Sequence, residues 1–267
     1  MSAEPNPSVL GRAAALLRAV AAEGEQAVTT SDLARRTGLA RPTAHRLLVA
    51  LAEEGFLDRD AGTGRWLLGP ELFLMGSLAA ERYDIGDAAR PVLRELARET
   101  GESAFLSARR GDETVCLAGE EGSFPLRSHV LYPGIRFPLG VASAGLVILA
   151  HLPDRDIEDY LARTDLSTDW GSAHARPELS QRITATRESG WCVNPGLLVE
   201  GSWGMAAAVF DQRDEPRWAL SLTGVESRFR ADRRDELGSL LLRCAHRLSR
   251  ELRLRPTGPH TLHPAPS

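Results

Sequence analysis

The chain contains no lysine: all 32 of its basic residues are arginine, set against 36 aspartates and glutamates for a formal net charge of -4. Alanine is abundant beside them, the signature of a GC-rich genome, so the number of arginines says little about function. A net negative chain is not a general polyanion binder, and any nucleic-acid contact has to come from local clustering of cations. Cysteine is scarce. Cys116, Cys192 and Cys244 are odd in number and far apart, which argues against a disulfide framework and leaves no pair at zinc-ligand spacing; buried free thiols are expected, and no cofactor or metal. Long apolar runs are missing too. Ala142 to Leu152 falls well short of the roughly 18 residues of a membrane span, and the polar, acidic stretch from Met1 to Ser8 is not a secretory signal. A cytoplasmic location is expected, with no membrane partner. A hydrophobic content of 43% with 25% charge is the balance of a folded protein, and 267 residues allow two ordinary domains or one large one.

Three regions separate by pattern. Short amphipathic segments and a turn-rich pair of strands occupy Ser8 to Gly69. Pro70 to Tyr83 reads as one helix with Leu72, Met75, Ala79 and Tyr83 at helical spacing. Phe73, Leu74 and Leu78 widen its apolar face, which suits a helix packed in its own core or one shared between domains or subunits. From Asp87 helices and strands mix. Helices are expected over 88–100, 142–152, 177–189 and 232–252. Strands are expected over 104–108, 115–118, 205–210 and 218–223, with another at 125–131. Helices are too few for strict strand–helix alternation, so the expectation is α+β with a largely antiparallel sheet. The tail beyond Pro256 is expected to be disordered, and its His260 and His263 make a weak metal site at best.

The first region carries the sharpest pattern. Leu10, Ala13, Leu17, Val20 and Ala21 give a first helix one apolar stripe. Ser31 is the expected N-cap of a second helix holding Leu33, Ala34 and Thr37. Gly38 supplies a left-handed turn, Leu39 can plug the corner, and a third helix starts near Arg41 with Pro42 where a missing N–H costs nothing. Ala44, Leu47, Leu48 and Leu51 form its buried face. The opposite face presents Pro42, His45, Arg46 and Val49, with Arg41 and Thr43 beside it. Between Ser31 and Ala50 stand Arg35, Arg36, Arg41 and Arg46 against Asp32 alone, so positive charge is local where the total is not. Residues 56–59 and 65–68 then flank a glycine-bearing turn, Asp60 to Gly64, as a hairpin. Helix-turn-helix plus hairpin makes a winged helix, whose third helix suits the major groove and whose Arg59 and Arg65 suit the backbone or minor groove. A small helical protein-binding domain would share this core.

Ser8-Val9-Leu10 with Arg12, Asp32 to Leu39, Arg41 to Leu48, Leu51 to Phe56 and Trp66 to Gly69 together resemble the isocitrate lyase regulator (IclR) family, and the similarity runs to about Arg253. The resemblance implies a winged helix-turn-helix at residues 8–69, a linker helix at 70–84, a GAF-like effector-binding domain at 85–254 and a tail at 255–267. It implies a transcription factor bound as a homodimer or tetramer to a pseudo-palindromic duplex operator and controlled by a small effector, an organic acid or aromatic metabolite. Candidate DNA contacts are Arg12, Ser31, Arg41, Pro42, Thr43, His45, Arg46, Arg59, Thr63 and Arg65. Candidate effector contacts are Phe137, Ser143, Ala144, Asn194, Ser202, Gly204, Ser221 and Thr223. The amides of a helix opening at Ser143 and Ala144 would suit a carboxylate, and Ser221 and Thr223, two apart on a strand, face one side. Ordinary capping by Ser143 and ladder-side bonding by the others would leave the same pattern. Gly140 and Leu146 stand where the family usually carries histidine and lysine, and the acidic residue often found near Asn194 is missing; a less polar pocket follows.

Two rival readings share these residues. An effector-independent DNA-binding regulator needs no pocket at all. A hydrolase would use Ser143 within Ala142-Ser143-Ala144-Gly145, but Val141 occupies the place of the first glycine of a nucleophile elbow, and no histidine is paired by spacing with an orienting carboxylate.

Overall fold

The computed structural model describes residues 8–24, 26–80 and 85–254. Tyr83 and the tail with His260 and His263 lie outside them, as does the end of the expected linker helix. The chain divides into two compact units, Met1–Asp84 and Ile85–Ser267.

In the first unit, α1 (Val9–Ala21), α2 (Thr30–Thr37) and α3 (Arg41–Glu53) are followed by β1 (Leu57–Arg59), β2 (Trp66–Leu68) and α4 (Pro70–Ala80). Leu16, Val20, Leu33, Ala34, Ala44 and Leu48 meet Leu57 and Trp66 in one core. The stripe on α1 differs from expectation: Leu16 and Val20 are the buried pair, while Leu10 and Ala21 face solvent. Stripes one residue apart overlap on a helix, and the contacts with α2 and α3 choose between them. The cap of α2 is also corrected, from Ser31 to Thr29. Thr29 Oγ1 accepts the Asp32 N–H at 3.2 Å and donates to Asp32 Oδ2 at 2.7 Å, a side-chain N-cap that Ser31, already inside the first turn, cannot supply. These bonds, with Arg35 second, hold the Asp32 carboxyl below its usual range. Gly38 ends α2 at φ 67°, the left-handed turn its lack of a Cβ permits. β1 and β2 pair antiparallel from Leu57–Leu68 to Arg59–Trp66, and Val28 adds a bridge to Trp66.

The second unit begins with α5 (Ile85–Thr100), β3 (Ser103–Arg110), β4 (Glu113–Glu120) and β5 (Arg136–Pro138). Then come α6 (Ser143–Ala150), α7 (Asp154–Arg163), α8 (Ser167–Trp170), a tight turn Ser172–His174 and α9 (Arg176–Ser189). It closes with β6 (Trp191–Pro195), β7 (Ser202–Phe210), β8 (Pro216–Val225) and α10 (Ala231–Leu254). The strands form one sheet in the order β5-β4-β3-β8-β7-β6, antiparallel throughout. Period-two alternation sorts its side chains. Leu106, Met205, Val209, Leu220 and Leu222 pack with α5 and α10, while Phe105, Cys116, Cys192, Ala206 and Ala219 pack with α6, α7 and α9. The α+β expectation with an antiparallel sheet therefore holds. The strand expected at 125–131 does not form. The edge strand lies instead at β5, three residues ended by Pro138, which has no N–H to donate and so suits an edge. All three cysteines are free and buried, and burial pushes the Cys116 and Cys192 thiols up to about 12. Among the described residues no helix is long and apolar enough to cross a membrane, and no cluster of His, Cys, Asp and Glu could hold a metal ion.

Candidate functional site

The first unit presents one helix end that its neighbours leave open. Arg41, Pro42, His45 and Arg46 of α3 are exposed, with Thr43 half-buried. The N-cap is Ala40, and no side chain caps it, so first-turn amides and their partial positive charge face outward. Arg35 is tied to Asp32 at 3.1 Å and Arg36 to Glu23, whereas Arg41 and Arg46 enter no ion pair among the described residues. The free cations of this stretch are therefore the two on α3. The hairpin is more self-contained. Arg59 Nε donates to the Gly64 carbonyl at 3.1 Å and its guanidinium lies 5.4 Å over Trp66. Arg65 reaches the Ala27 carbonyl at 3.4 Å. Thr63 gives both its N–H and its hydroxyl to Asp60 Oδ1, each at 2.6 Å, and these bonds hold the Asp60 carboxyl below its usual range. Ser31 is exposed on α2, and Arg12 is half-buried with its Nε enclosed.

In the second unit the register of β6, β7 and β8 aligns Asn194 with Gly204 and Thr223, and Cys192 with Ala206 and Ser221. The face these residues share packs under α6. A Cβ on Gly204 would lie 3.1 Å from Ser143 Oγ, so glycine there permits the close approach of β7 to the start of α6. Ser143, Asn194, Ser202, Gly204 and Thr223 line a chamber of about 20 Å³. Ser221 and Thr223 are 0% and 5% exposed, and both hydroxyls are enclosed with no hydrogen-bond partner among the described residues. Asn194 is already committed: its Nδ2 donates to the Val141 carbonyl at 2.8 Å, and its Oδ1 accepts the Leu197 N–H at 3.0 Å.

The residues expected to bind an effector thus fall into two groups. Phe137 does not join the chamber. It meets Trp170 edge-on at 5.6 Å in an adjoining cavity of about 680 Å³, which shares Val130, Leu198 and Ser202 with the chamber. Ala144 and Ser221 line neither; Ala144 is buried in the first turn of α6 and Ser221 is buried on β8. Trp170, Val130 and Leu198 escape sequence reasoning because α8 is only four residues long and the other two sit outside helix and strand, so spacing marks none of them. His174, among the histidines that spacing pairs with no carboxylate, is held by backbone carbonyls instead. It is fully buried, with Nδ1 2.8 Å from the Trp170 carbonyl and Nε2 3.3 Å from that of Val141. Burial, reinforced by the charge of Arg182, holds its pKa below the ordinary 6.5. Among the described residues no histidine hydrogen-bonds to Ser143, the serine of the hydrolase reading.

Comparison with known proteins agrees on both units. Residues 9–61 match the IclR helix-turn-helix domain and residues 77–250 the bacterial transcriptional regulator IclR C-terminal domain. The chain is similar to the HTH-type transcriptional regulator KipR of Bacillus subtilis, 33% identical over 84% of this chain and 90% of that one. It is similar in structure to an IclR transcriptional regulator from Alicyclobacillus acidocaldarius, with a TM-score of 0.74, 25% identity and coverage of 91% and 98%. It also shares the fold of an IclR homolog from Microbacterium hydrocarbonoxydans complexed with 4-hydroxybenzoate, with a TM-score of 0.73, 22% identity and coverage of 93% and 100%.

Proposed function

The chain belongs to the IclR family of bacterial transcriptional regulators, and from that premise we propose that α3 reads a pseudo-palindromic operator while the second unit takes a small effector that sets operator affinity. In this reading residues 8–69 bind DNA, 70–84 link and 85–254 sense. An α-helix fits the major groove, and arginine can bond guanine O6 and N7 together; Arg41 and Arg46 are the exposed, unpaired arginines of α3. One such helix spans too few base pairs for a specific site, so two copies on two half-sites are required. Arg12, Ser31, Arg59, Thr63 and Arg65 then serve positioning on the sugar-phosphate backbone.

The observation that carries the effector half is the enclosed, unpartnered hydroxyl of Thr223, which lines the small chamber; the hydroxyl of Ser221, two residues away on β8, is enclosed and unpartnered too. Buried polar atoms in folded proteins nearly always have partners, and an orphan hydroxyl that lines a cavity supports a ligand as the missing partner. The homolog complexed with 4-hydroxybenzoate supports a small organic acid or aromatic metabolite as the general kind of effector. Such a ligand changes operator affinity only if it binds the DNA-competent and incompetent states with different free energies. The test is genome-wide mapping of bound DNA, followed by operator-affinity and melting measurements against metabolites of the genes so found. A mapped operator whose affinity no metabolite alters would favour an effector-independent regulator.

A further inference from the structure

We propose that the cleft between the last turns of α10 and the turn joining β7 to β8 is a separate ligand site, one that takes a small phosphate ester with an aromatic body. It stands independently of the effector reading. The cleft shares no lining residue with the chamber or with the cavity beside it.

The cleft encloses about 440 Å³, inside the roughly 300–1,000 Å³ of small-molecule sites. Phe210, Asp214, His246, Ser249, Arg250 and Arg253 line it. His246, Arg250 and Arg253 follow one another at i, i+4 and i+7 on α10, which stacks them on one face of the helix, and all three are exposed. The base is fixed. Ser249 is buried; its Oγ accepts the Phe210 N–H at 2.9 Å and donates to the Ala245 carbonyl at 2.8 Å, tying the end of β7 to α10. The turn is fixed as well. Asp211 Oδ1 accepts the N–H groups of Arg213 and Glu215 at 2.8 and 3.0 Å, and Gln212 Nε2 donates to the Leu252 carbonyl at 3.2 Å. Both walls are therefore in place before a ligand arrives, and little ordering is left for binding to offset.

Charge selects the ligand. Arg253 is paired with Asp214, whereas Arg250 enters no ion pair and His246 no hydrogen bond among the described residues. Two arginines against one aspartate leave an excess of positive charge facing the cleft. The partial negative charge at the end of α10, roughly half an elementary charge, does not cancel it. A guanidinium fork matches carboxylate and phosphate alike. Three donor side chains in a row favour the phosphate, since a phosphate monoester offers three terminal oxygens and a carboxylate two. Asp214 is the opposing group. It stands at φ 59°, the only left-handed residue other than glycine among those described, a conformation that aspartate and asparagine adopt more readily than most residues. The turn thus presents a carboxylate that occupies Arg253 until a phosphate competes for it. Phe210, half-buried and met edge-on by His151 at 5.5 Å, gives the body of the ester a fixed aromatic wall. The same cations would meet a DNA phosphate, but the enclosed volume and this wall favour a ligand that enters.

The test titrates the full-length protein with phenyl phosphate and with inorganic phosphate, read by calorimetry and by broadening of the phosphorus NMR line. Phenyl phosphate should bind about tenfold more tightly than inorganic phosphate, the contribution of a partly buried ring. Arg250→Ala should weaken both by about tenfold or more, the loss of a charge-assisted hydrogen bond. Arg250 holds nothing else in the fold, so that variant reads the site alone. Asp214→Asn, which suits the left-handed position, should strengthen both by freeing Arg253. Benzoate should displace phenyl phosphate only at about ten times the concentration or more. No binding of either phosphate at millimolar concentration, equal affinity for the two, displacement by benzoate at equal concentration, indifference to Arg250→Ala, or weaker binding by Asp214→Asn would each overturn the site. A mixed-sequence DNA duplex supplies the last arm. Unaltered duplex affinity in Arg250→Ala supports a small ligand; a tenfold loss would make these cations a contact for the DNA backbone and overturn it.

Discussion

At the scale of single residues, α3 and the buried histidine lead to different measurements. Replacing Arg41 or Arg46 by alanine should weaken binding to a mapped operator by about 1–3 kcal/mol if the guanidinium bonds a base edge. Arg65→Ala should lower affinity across sequences alike. Filter binding or fluorescence anisotropy on operator and scrambled duplexes separates the two, and unchanged operator affinity in both α3 variants would remove the groove assignment. His174 concerns stability. Its pKa is depressed in the fold below 6.5, so the unfolded chain takes up the proton first. Its contribution is complete above about pH 6.5 and is lost as pH falls through the lower folded value. Melting temperature should therefore drop between about pH 7 and pH 5, and His174→Asn, which can still donate to the Trp170 carbonyl, should flatten that slope; an unaltered slope would show that other groups set it. Of these residues only the two arginines were legible in sequence, because helical spacing displays an outward face, whereas a histidine held between the carbonyls of Trp170 and Val141 has no signature in spacing.

At the scale of elements, α4 stands apart from the other helices of its unit. It is apolar on every side, and Phe73, Leu74, Met75 and Leu78 are exposed, Phe73 by 75%. A run of large apolar side chains this open needs a cover, and of the two readings the sequence left open, packing within its own core is not what the described residues show. A helix shared between domains or between subunits remains, and a subunit seam is the proposed form. Light scattering should find a dimer or larger species at micromolar concentration, and Phe73→Ser with Leu78→Ser should shift it toward monomer; a monomer in the wild type, with and without DNA, would refute the seam. Elements differ in legibility for physical reasons. α1 to α3, the hairpin and α10 declare themselves through periodicity and turn glycines. β5 and β6 are three and five residues long, too short to show alternation. α7 carries Ile157, Tyr160 and Leu161 on its buried side, yet its acidic start after Pro153 hides that face within an apparent loop. Thr29 rather than Ser31 caps α2 because the cap is decided by which hydroxyl lies three residues before Asp32.

At the scale of the whole molecule, the proposed control requires that something bound in one unit be felt in the other. Ser143→Phe should fill the chamber and abolish every effector response, while operator binding without effector stays near that of the wild type. Overpacking of this kind lowers stability by about 1–3 kcal/mol, so circular dichroism must accompany the binding assay. A variant that responds with unaltered sensitivity would move the site elsewhere. The rim between the two cavities also governs time. Ser128 Oγ and Ser202 Oγ stand 2.6 Å apart, joined by a hydrogen bond, where the segment after β4 crosses to β7. Val130 and Leu198 border both spaces. A ligand that reaches the chamber past this bond would part it on the way in and again on the way out. Entry is then slower than diffusion allows, and once the rim recloses, a well-fitting molecule is distinguished from a poor one by how long it stays rather than by how fast it arrives.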